Sequence, residues 1–444
     1  MNFVLIFNRQ TLSFNKITFK LGGSSSRIFS KFGYNIKIRG KKDLYGRTQF
    51  KLRPDAREAT FMRTKLASDF HARLGIKTIS SNYANLYING EFMGFYVLMD
   101  SIKKSWIEAE YGDIETSTLY ECSSTGNDLT VEASGKKCVN ANKNVTDTSE
   151  FMKFLTDLNA AQTIEEVEKF FDVDLFLTEM AYEYLFGSWD HYLIYGHNFL
   201  LYKPAGSVIW KYIITDFDGD IGQDISMGIT GIVPVPVLPT NLDFVNYTFK
   251  EWAYFPRHII DVLIFKDSTR FDNILKKLVK EIFNPATLFP HIDEIKKFIK
   301  PYVEKDKTPD KNGKLPGRLH EETEDYTMEE WDANSEFTTI CSAQCSRAYG
   351  LKYWILAKYR HVCKAYSIEC DPTYMDENYK YTVDKNVERP ITEDAWLIYD
   401  YEEPKKNSKK LTSNEGDNDS SGAFKKPIIS FVFLYSILTL ILLI

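Results

Sequence analysis

A basic excess is missing from this chain. Its 55 lysines and arginines are outnumbered by 61 aspartates and glutamates, a net charge of −6. No general attraction for a phosphate backbone follows, so nucleic acid is not the expected partner. No internal repeat is visible. With 44% hydrophobic and 26% charged residues, disordered, collagenous and multi-span membrane chains are set aside. A secretory leader is also wanting: Met1 to Phe7 is apolar but stops at Asn8-Arg9-Gln10. That is too short for a basic region, apolar segment and cleavage site, so the expectation is either residues missing before Met1 or unconventional export. The cysteines lack the C-x2-C knuckles of zinc sites. No tryptophan-lined stretch marks a sugar groove, which leaves paired-carboxylate glycoside hydrolysis without support.

What is present begins with size and aromatic content. A chain of 444 residues allows one large two-lobed domain or two ordinary ones with a tail. Its 15% aromatic content, with 27 Tyr and 31 Phe, predicts a well-filled core. Ile428 to Ile444 carries no charge and follows a small polar run, Asn418-Asp419-Ser420-Ser421-Gly422-Ala423, and Lys425-Lys426-Pro427. Small residues, a spacer and a terminal apolar tail form the pattern of a GPI-anchor signal, with a C-terminal membrane helix as the alternative. Asn144-Val145-Thr146 and Asn246-Tyr247-Thr248 are N-glycosylation sequons. Cys122 and Cys138 bracket a polar loop suited to a local disulfide. Cys341, Cys345, Cys363 and Cys370 are expected to form disulfides in preference to a four-cysteine zinc site.

The pattern along the chain is α+β. Ile17 to Lys20 reads as a strand, Gly22 to Ser26 as a loop, and Tyr34 to Arg39 as an alternating, half-buried strand. Phe61 to Leu74 reads as a helix, and Leu86 to Met99, turning at Asn89-Gly90, as a type I′ hairpin. Thr148 to Phe171 and Val173 to Phe186 read as helices, the second capped by Asp172. Strands are predicted at Tyr192 to Tyr202 and Ile209 to Asp216, and 250–362 reads as chiefly helical, interrupted by the polar stretch Lys305 to Arg318. The expected organisation is a β-rich lobe over 1–146 and a mainly helical lobe over 147–390 with an active-site hairpin at 188–222. A disordered polar stalk (391–426) and the apolar tail (427–444) follow.

The densest chemistry lies in that hairpin: Trp189-Asp190-His191, Gly196-His197-Asn198, and Asp216-Phe217-Asp218-Gly219. Singly, each polar residue there is most often a turn or cap residue. Together, carboxylate and amide oxygens at strand ends are the hard ligands Mg²⁺ takes, with substrate phosphates completing its shell. Phosphoryl transfer needs that metal and a carboxylate that orients the nucleophile. Gly22-Gly23-Ser24-Ser25-Ser26-Arg27 falls between two strands where backbone N–H groups cover phosphates, or where a solvated loop sits. Lys37 on the following strand reaches α/β-phosphates or faces solvent. His191 and His197 read as packing or hydrogen-bonding residues, for want of a third metal partner.

Trp189-Asp190-x7-Asn198 followed by Asp216-Phe217-Asp218 resembles the spore-coat protein H (CotH) kinase family. The loop Gly22 to Arg27, Met62-Arg63-x-Lys65-Leu66-Ala67 and Leu86-Tyr87-Ile88-Asn89-Gly90-Glu91-Phe92-x-Gly94-x-Tyr96 extend the resemblance. Gln49-Phe50-Lys51-Leu52-Arg53 and the tail are most similar to fungal surface members, which include the invasins of Mucorales. The resemblance implies an atypical protein-kinase-like fold with ATP and Mg²⁺ as cofactors. It implies Asp190 as catalytic aspartate, Asn198, Asp216 and Asp218 as metal ligands, and Gly23, Ser24, Ser25 and Arg27 over the ATP phosphates. Asn35 stands where family members often carry lysine, leaving Lys31 and Lys37 as substitutes. The apolar run Tyr192 to Tyr195 departs from the Gly-, Asp- and Asn-rich loop of the invasins, so the resemblance implies no shared receptor surface. The expected function is a secreted or cell-surface protein kinase acting on protein Ser/Thr, such as a coat or cell-wall protein. The alternative is a catalytically weak or inactive adhesin that meets a host cell-surface receptor, or a coat protein, on the same scaffold, in either case held at the membrane by a lipid anchor or a C-terminal helix.

Overall fold

Alternating side chains near the start of the chain organise the first sheet. The computed structural model describes residues 2–7, 10–23, 25–231, 242–320, 325–343, 346–389 and 437–443. The early strands are β1 (Asn2–Phe7), β2 (Gln10–Phe14), β3 (Ile17–Leu21), β4 (Tyr34–Ile38), β5 (Gln49–Arg53), β6 (Ser81–Ile88) and β7 (Glu91–Asp100). Next come β8 (Leu119–Cys122), β9 (Val139–Asn140), β10 (Phe199–Tyr202), β11 (Lys211–Ile214), β12 (Ile340–Cys341), β13 (Arg347–Ala348) and β14 (Ile437–Leu443). The first sheet runs β2-β1-β14-β6-β7-β5-β4-β3, antiparallel except where β14 lies parallel to β1, and a second runs β11-β10-β8-β9. Antiparallel sheets with helices make the fold α+β.

On β4, Tyr34, Ile36 and Ile38 are buried while Asn35 and Lys37 are half-buried, as strand alternation requires. The β6–β7 hairpin turns at Asn89 and Gly90, with φ of 54° and 85°, the left-handed pair that a type I′ turn needs. The helix expected from Phe61 spans Arg63–Arg73. A long helix Val173–Phe186 starts where Asp172 accepts a hydrogen bond from the Leu175 N–H and forms the axis of the main hydrophobic core, with Leu177, Met180 and Tyr184 buried on it. The other early helix is broken: Ser149–Ala160 ends at Ala161, which is extended, and Thr163 caps a separate turn, Ile164–Val167. Helices Thr269–Glu281, Pro285–Asp306 and Leu351–Ala365 dominate the later half.

The strand expected from Tyr192 begins only at Phe199. Residues 190–198 instead form turns suspended from the fully buried Glu183, whose carboxylate accepts the N–H groups of Tyr192 (3.2 Å) and Leu193 (2.8 Å). Burial pushes the Glu183 carboxyl up to about 8.

Disulfides join Cys122 to Cys138 and Cys363 to Cys370. The second bond removes the four-cysteine zinc alternative; Cys345 lies outside the described residues. The sequon residues Asn144 and Asn246 are exposed. Residues 437–443 of the apolar tail form β14 between β1 and β6. The expected stalk and residues 427–436 lie outside the described residues. Among the described residues no helix is long and apolar enough to cross a membrane.

Candidate functional site

Strands β3, β4 and β5 turn their polar alternates toward β10 and the segment after β11. Between them lies a cavity of about 400 Å³, with Lys37 and Lys51 on one wall and Asn198 and Asp216 on the other. Asp216 holds a φ of 75° and Asn198 one of 55°, left-handed conformations that cost a non-glycine residue energy and cluster at functional sites. The backbone ties the two together, since the Thr215 N–H donates to the Asn198 carbonyl at 3.0 Å.

Asp190 is held from two sides. Asn198 Nδ2 donates both to the Asp190 carbonyl oxygen and to its Oδ2, each at 3.0 Å. His197 Nδ1 lies 3.1 Å from Asp190 Oδ1, and its Nε2 lies 2.6 Å from the Ser123 carbonyl oxygen. Burial disfavours the charged ring of His197, but the hydrogen bond and charge of Asp190 prevail and raise its pKa above the ordinary value. His191 is different: burial lowers it to about 4, so it is neutral and donates from Nε2 to the Thr215 carbonyl at 3.0 Å.

Asp216 and Asp218 converge on one cation. Arg53 Nη2 donates to both Asp216 oxygens, at 2.8 and 2.7 Å, and Arg53 Nη1 donates to Asp218 at 3.3 Å. Lys51 Nζ stands 3.9 Å from Asp216. Burial pushes the Asp216 carboxyl upward, yet Arg53, Lys51 and Arg57 outweigh it and hold it well below the usual carboxylate range. Burial raises Asp218, against the charge of Arg53. Burial also lowers Lys51, opposed by Asp216.

The donor set fits a hard divalent cation. Two carboxylates focus on a single positive charge, and the amide oxygen of Asn198 is not used in its bonds to Asp190. Among the described residues no group of three His, Cys, Asp or Glu is placed to hold a metal, so Asn198 and ligand oxygens have to complete a shell around Asp216 and Asp218.

The structure thus brings Asp190 to Asn198 and Asp218 to Asp216 through Arg53; Asn198 and Asp216 line the cavity with Lys37 on the facing wall, whereas Asp190 and Asp218 stand behind them and do not line it. Gly23 and Arg27 lie between β3 and β4 and do not line the cavity; Ser25 lies in the same segment, and Ser24 lies outside the described residues. Lys31 is elsewhere and is corrected as a phosphate lysine. It is fully enclosed, paired to Asp306 at 2.7 Å, donating to the Phe95 carbonyl at 2.9 Å, and set between the Phe61 and Tyr96 rings. Gly94 makes room for this pair: a Cβ there would come within 2.4 Å of the Asp306 carboxylate. Sequence reasoning missed Lys51, Arg53 and the bond from His197 to Asp190. The signal for the first two was available, because Gln49 to Arg53 alternates apolar and cationic residues so that both cations share one face of β5.

A family profile described as CotH kinase protein matches residues 19–339. The chain is 25% identical over 317 residues to Invasin CotH2 of Rhizopus delemar, covering 67% of this chain and 52% of that protein. It is 24% identical over 378 residues to Invasin CotH3 of the same fungus, covering 80% and 60%. With the inner spore coat protein H of Bacillus subtilis, identity is 24% over 293 residues, covering 63% and 76%. The chain therefore spans about half the length of Invasin CotH2. Because the profile runs through more than half of the chain, from within β3 past Asp190, Asn198, Asp216 and Asp218, this protein belongs to the CotH kinase family.

Proposed function

We propose that this chain is a phosphotransferase of an atypical protein-kinase-like architecture, moving phosphate from ATP to protein Ser/Thr hydroxyls with Mg²⁺ at the cell surface. The observation that carries this reading is that Asn198, which together with His197 holds Asp190, lines one cleft with Asp216 and Lys51. Asp190 accepts the proton of the acceptor hydroxyl and aims its oxygen at the terminal phosphorus. As that new P–O bond forms, the bond to the leaving ADP oxygen breaks. Lys51 holds phosphate oxygens from the sheet, which makes the missing lysine at Asn35 less consequential. Asn198, Asp216 and Asp218 hold Mg²⁺, which supplies charge neutralisation on the phosphates. A surface setting is supported by relatives named invasins, by two disulfides and by exposed sequons. The GPI-signal pattern of the tail supports a lipid anchor, whose attachment would take β14 out of the first sheet.

The test is self-labelling or labelling of a coat or cell-wall protein from ATP in a secreted, disulfide-bonded protein. Transfer should require Mg²⁺, stop with a chelator, and be lost in Asp190→Asn and Asp216→Asn. Transfer that persists in Asp190→Asn would sink the assignment of the base.

One observation favours a second reading, a surface adhesin without transfer activity: Arg53 already neutralises the two carboxylates that a metal needs. Under that reading a folded protein labels nothing, and Asp190→Asn leaves binding to host cells unchanged.

A further inference from the structure

Cations also gather at the outer end of the cleft, away from Asp216. The sheet register places them. Lys20, Asn35 and Lys51 form one cross-strand row, and Thr18, Lys37 and Gln49 form the next, about 7 Å farther along at two residues of strand. Arg39 follows Lys37 by two residues on the same side and donates to the Thr18 hydroxyl at 3.0 Å. Lys20, Lys37 and Arg39 all line the cavity, and none of them is ion-paired among the described residues. Lys103 across from them is paired to Glu121. Burial lowers the Lys37 ammonium, and Arg39, Lys104 and Lys103 lower it further. Lys37 is half-buried while Lys20 and Arg39 are exposed at the cavity rim, and like charges gathered there repel one another unless an anion joins them.

We propose that Lys20 on β3, with Lys37 and Arg39 on and just after β4, form a second anion site in this cleft, apart from Lys51 on β5, that takes a phosphate group. It deepens the phosphotransferase reading and rests on it for the cleft's purpose. The ligand carries phosphates at the Lys51 end and again at the Lys37 end, as a nucleotide's phosphate chain or as a free linear polyphosphate. The two stations use different residues, so each can fail alone.

The test is calorimetric titration of the full chain with inorganic tripolyphosphate in the presence of chelator, which removes any metal-dependent binding. Lys37→Gln/Arg39→Gln should weaken binding at least tenfold. Lys41→Gln/Lys42→Gln, on the adjacent exposed turn, is the control for general charge loss and should leave it within twofold. A parallel titration with ATP separates the sources. Equal weakening in Lys37→Gln/Arg39→Gln identifies the nucleotide chain, and unchanged ATP affinity identifies free polyphosphate; either outcome upholds the site. Unchanged tripolyphosphate affinity in the double variant, or equal weakening in the control, overturns it. Tripolyphosphate binding that needs Lys37 and Arg39, in a protein that transfers no phosphate, would refute the kinase reading and leave this site standing.

Discussion

His197 bridges Asp190 and the Ser123 carbonyl, with 3.1 Å from its Nδ1 to Asp190 Oδ1 and 2.6 Å from its Nε2 to the carbonyl oxygen. Both ring nitrogens face acceptors, an arrangement that only the protonated imidazole satisfies with two donors. The imidazolium therefore holds the Asp190 carboxylate from behind while Asn198 holds it from the side.

A pH dependence follows from the raised pKa of His197. Its stabilising contribution is complete below the ordinary value of 6.5 and is lost as pH rises through the higher value in the folded protein. Urea unfolding should find His197→Gln less stable than wild type by about 1–2 kcal/mol near pH 6, shrinking toward zero near pH 9. A difference that stays constant across that range would remove the imidazolium from the account.

Arg53 competes with any metal for Asp216 and Asp218. In nucleotide-free protein, Arg53→Gln should therefore tighten Mg²⁺ binding by about tenfold, as expected when one close opposing charge is removed from a partly buried site. Calorimetric titration with Mg²⁺ reads this directly, and weaker binding in the variant would assign Arg53 to ligand binding instead.

The Cys122–Cys138 bond closes a loop across 16 positions and braces the turn beneath Asp190. Gly126 and Asn127 donate backbone N–H bonds to the carbonyls of Tyr195 and Gly196. Cys122→Ser/Cys138→Ser should cost about 3 kcal/mol of stability in the chain-entropy model. Phosphate transfer should fall more than stability alone accounts for, as measured under conditions where the variant remains folded. An active, merely less stable variant would separate the bond from the site.

Lys31→Met should be strongly destabilising, by about 3 kcal/mol or more, because it strips a buried carboxylate of its nearest cation. Equilibrium unfolding in urea measures it. The same substitution placed at Lys37 should cost less than about 0.5 kcal/mol, as is usual for partly exposed positions.

The polar residues of the site were legible because Asp190, Asn198, Asp216 and Asp218 sit at fixed intervals around two short strands. The hairpin at Asn89-Gly90 and the cap at Asp172 were equally plain, since each is written in one or two adjacent residues. The choice among lysines was not. Lys31 and Lys51 differ in what they meet, and Asp306, the partner that consumes Lys31, lies 275 positions away. The run Tyr192 to Tyr195 was misread as strand for a related reason. Burial around Glu183 demands apolar side chains on a turn just as a sheet demands them on a strand.

The Lys31–Asp306 pair also sets an order of assembly. Asp55, at the end of the early strands, similarly awaits Lys307, 2.8 Å away, and Asp306 itself is shared with Arg318 at 3.2 Å. At ribosomal rates of roughly 5–20 residues per second, the chain between Lys31 and Asp306 takes roughly 15–55 s to emerge. Through that interval Lys31 and Asp55 have only each other, 3.6 Å apart. The buried charge cluster is therefore completed only when the helix ending at Asp306 and the segment carrying Lys307 and Arg318 arrive.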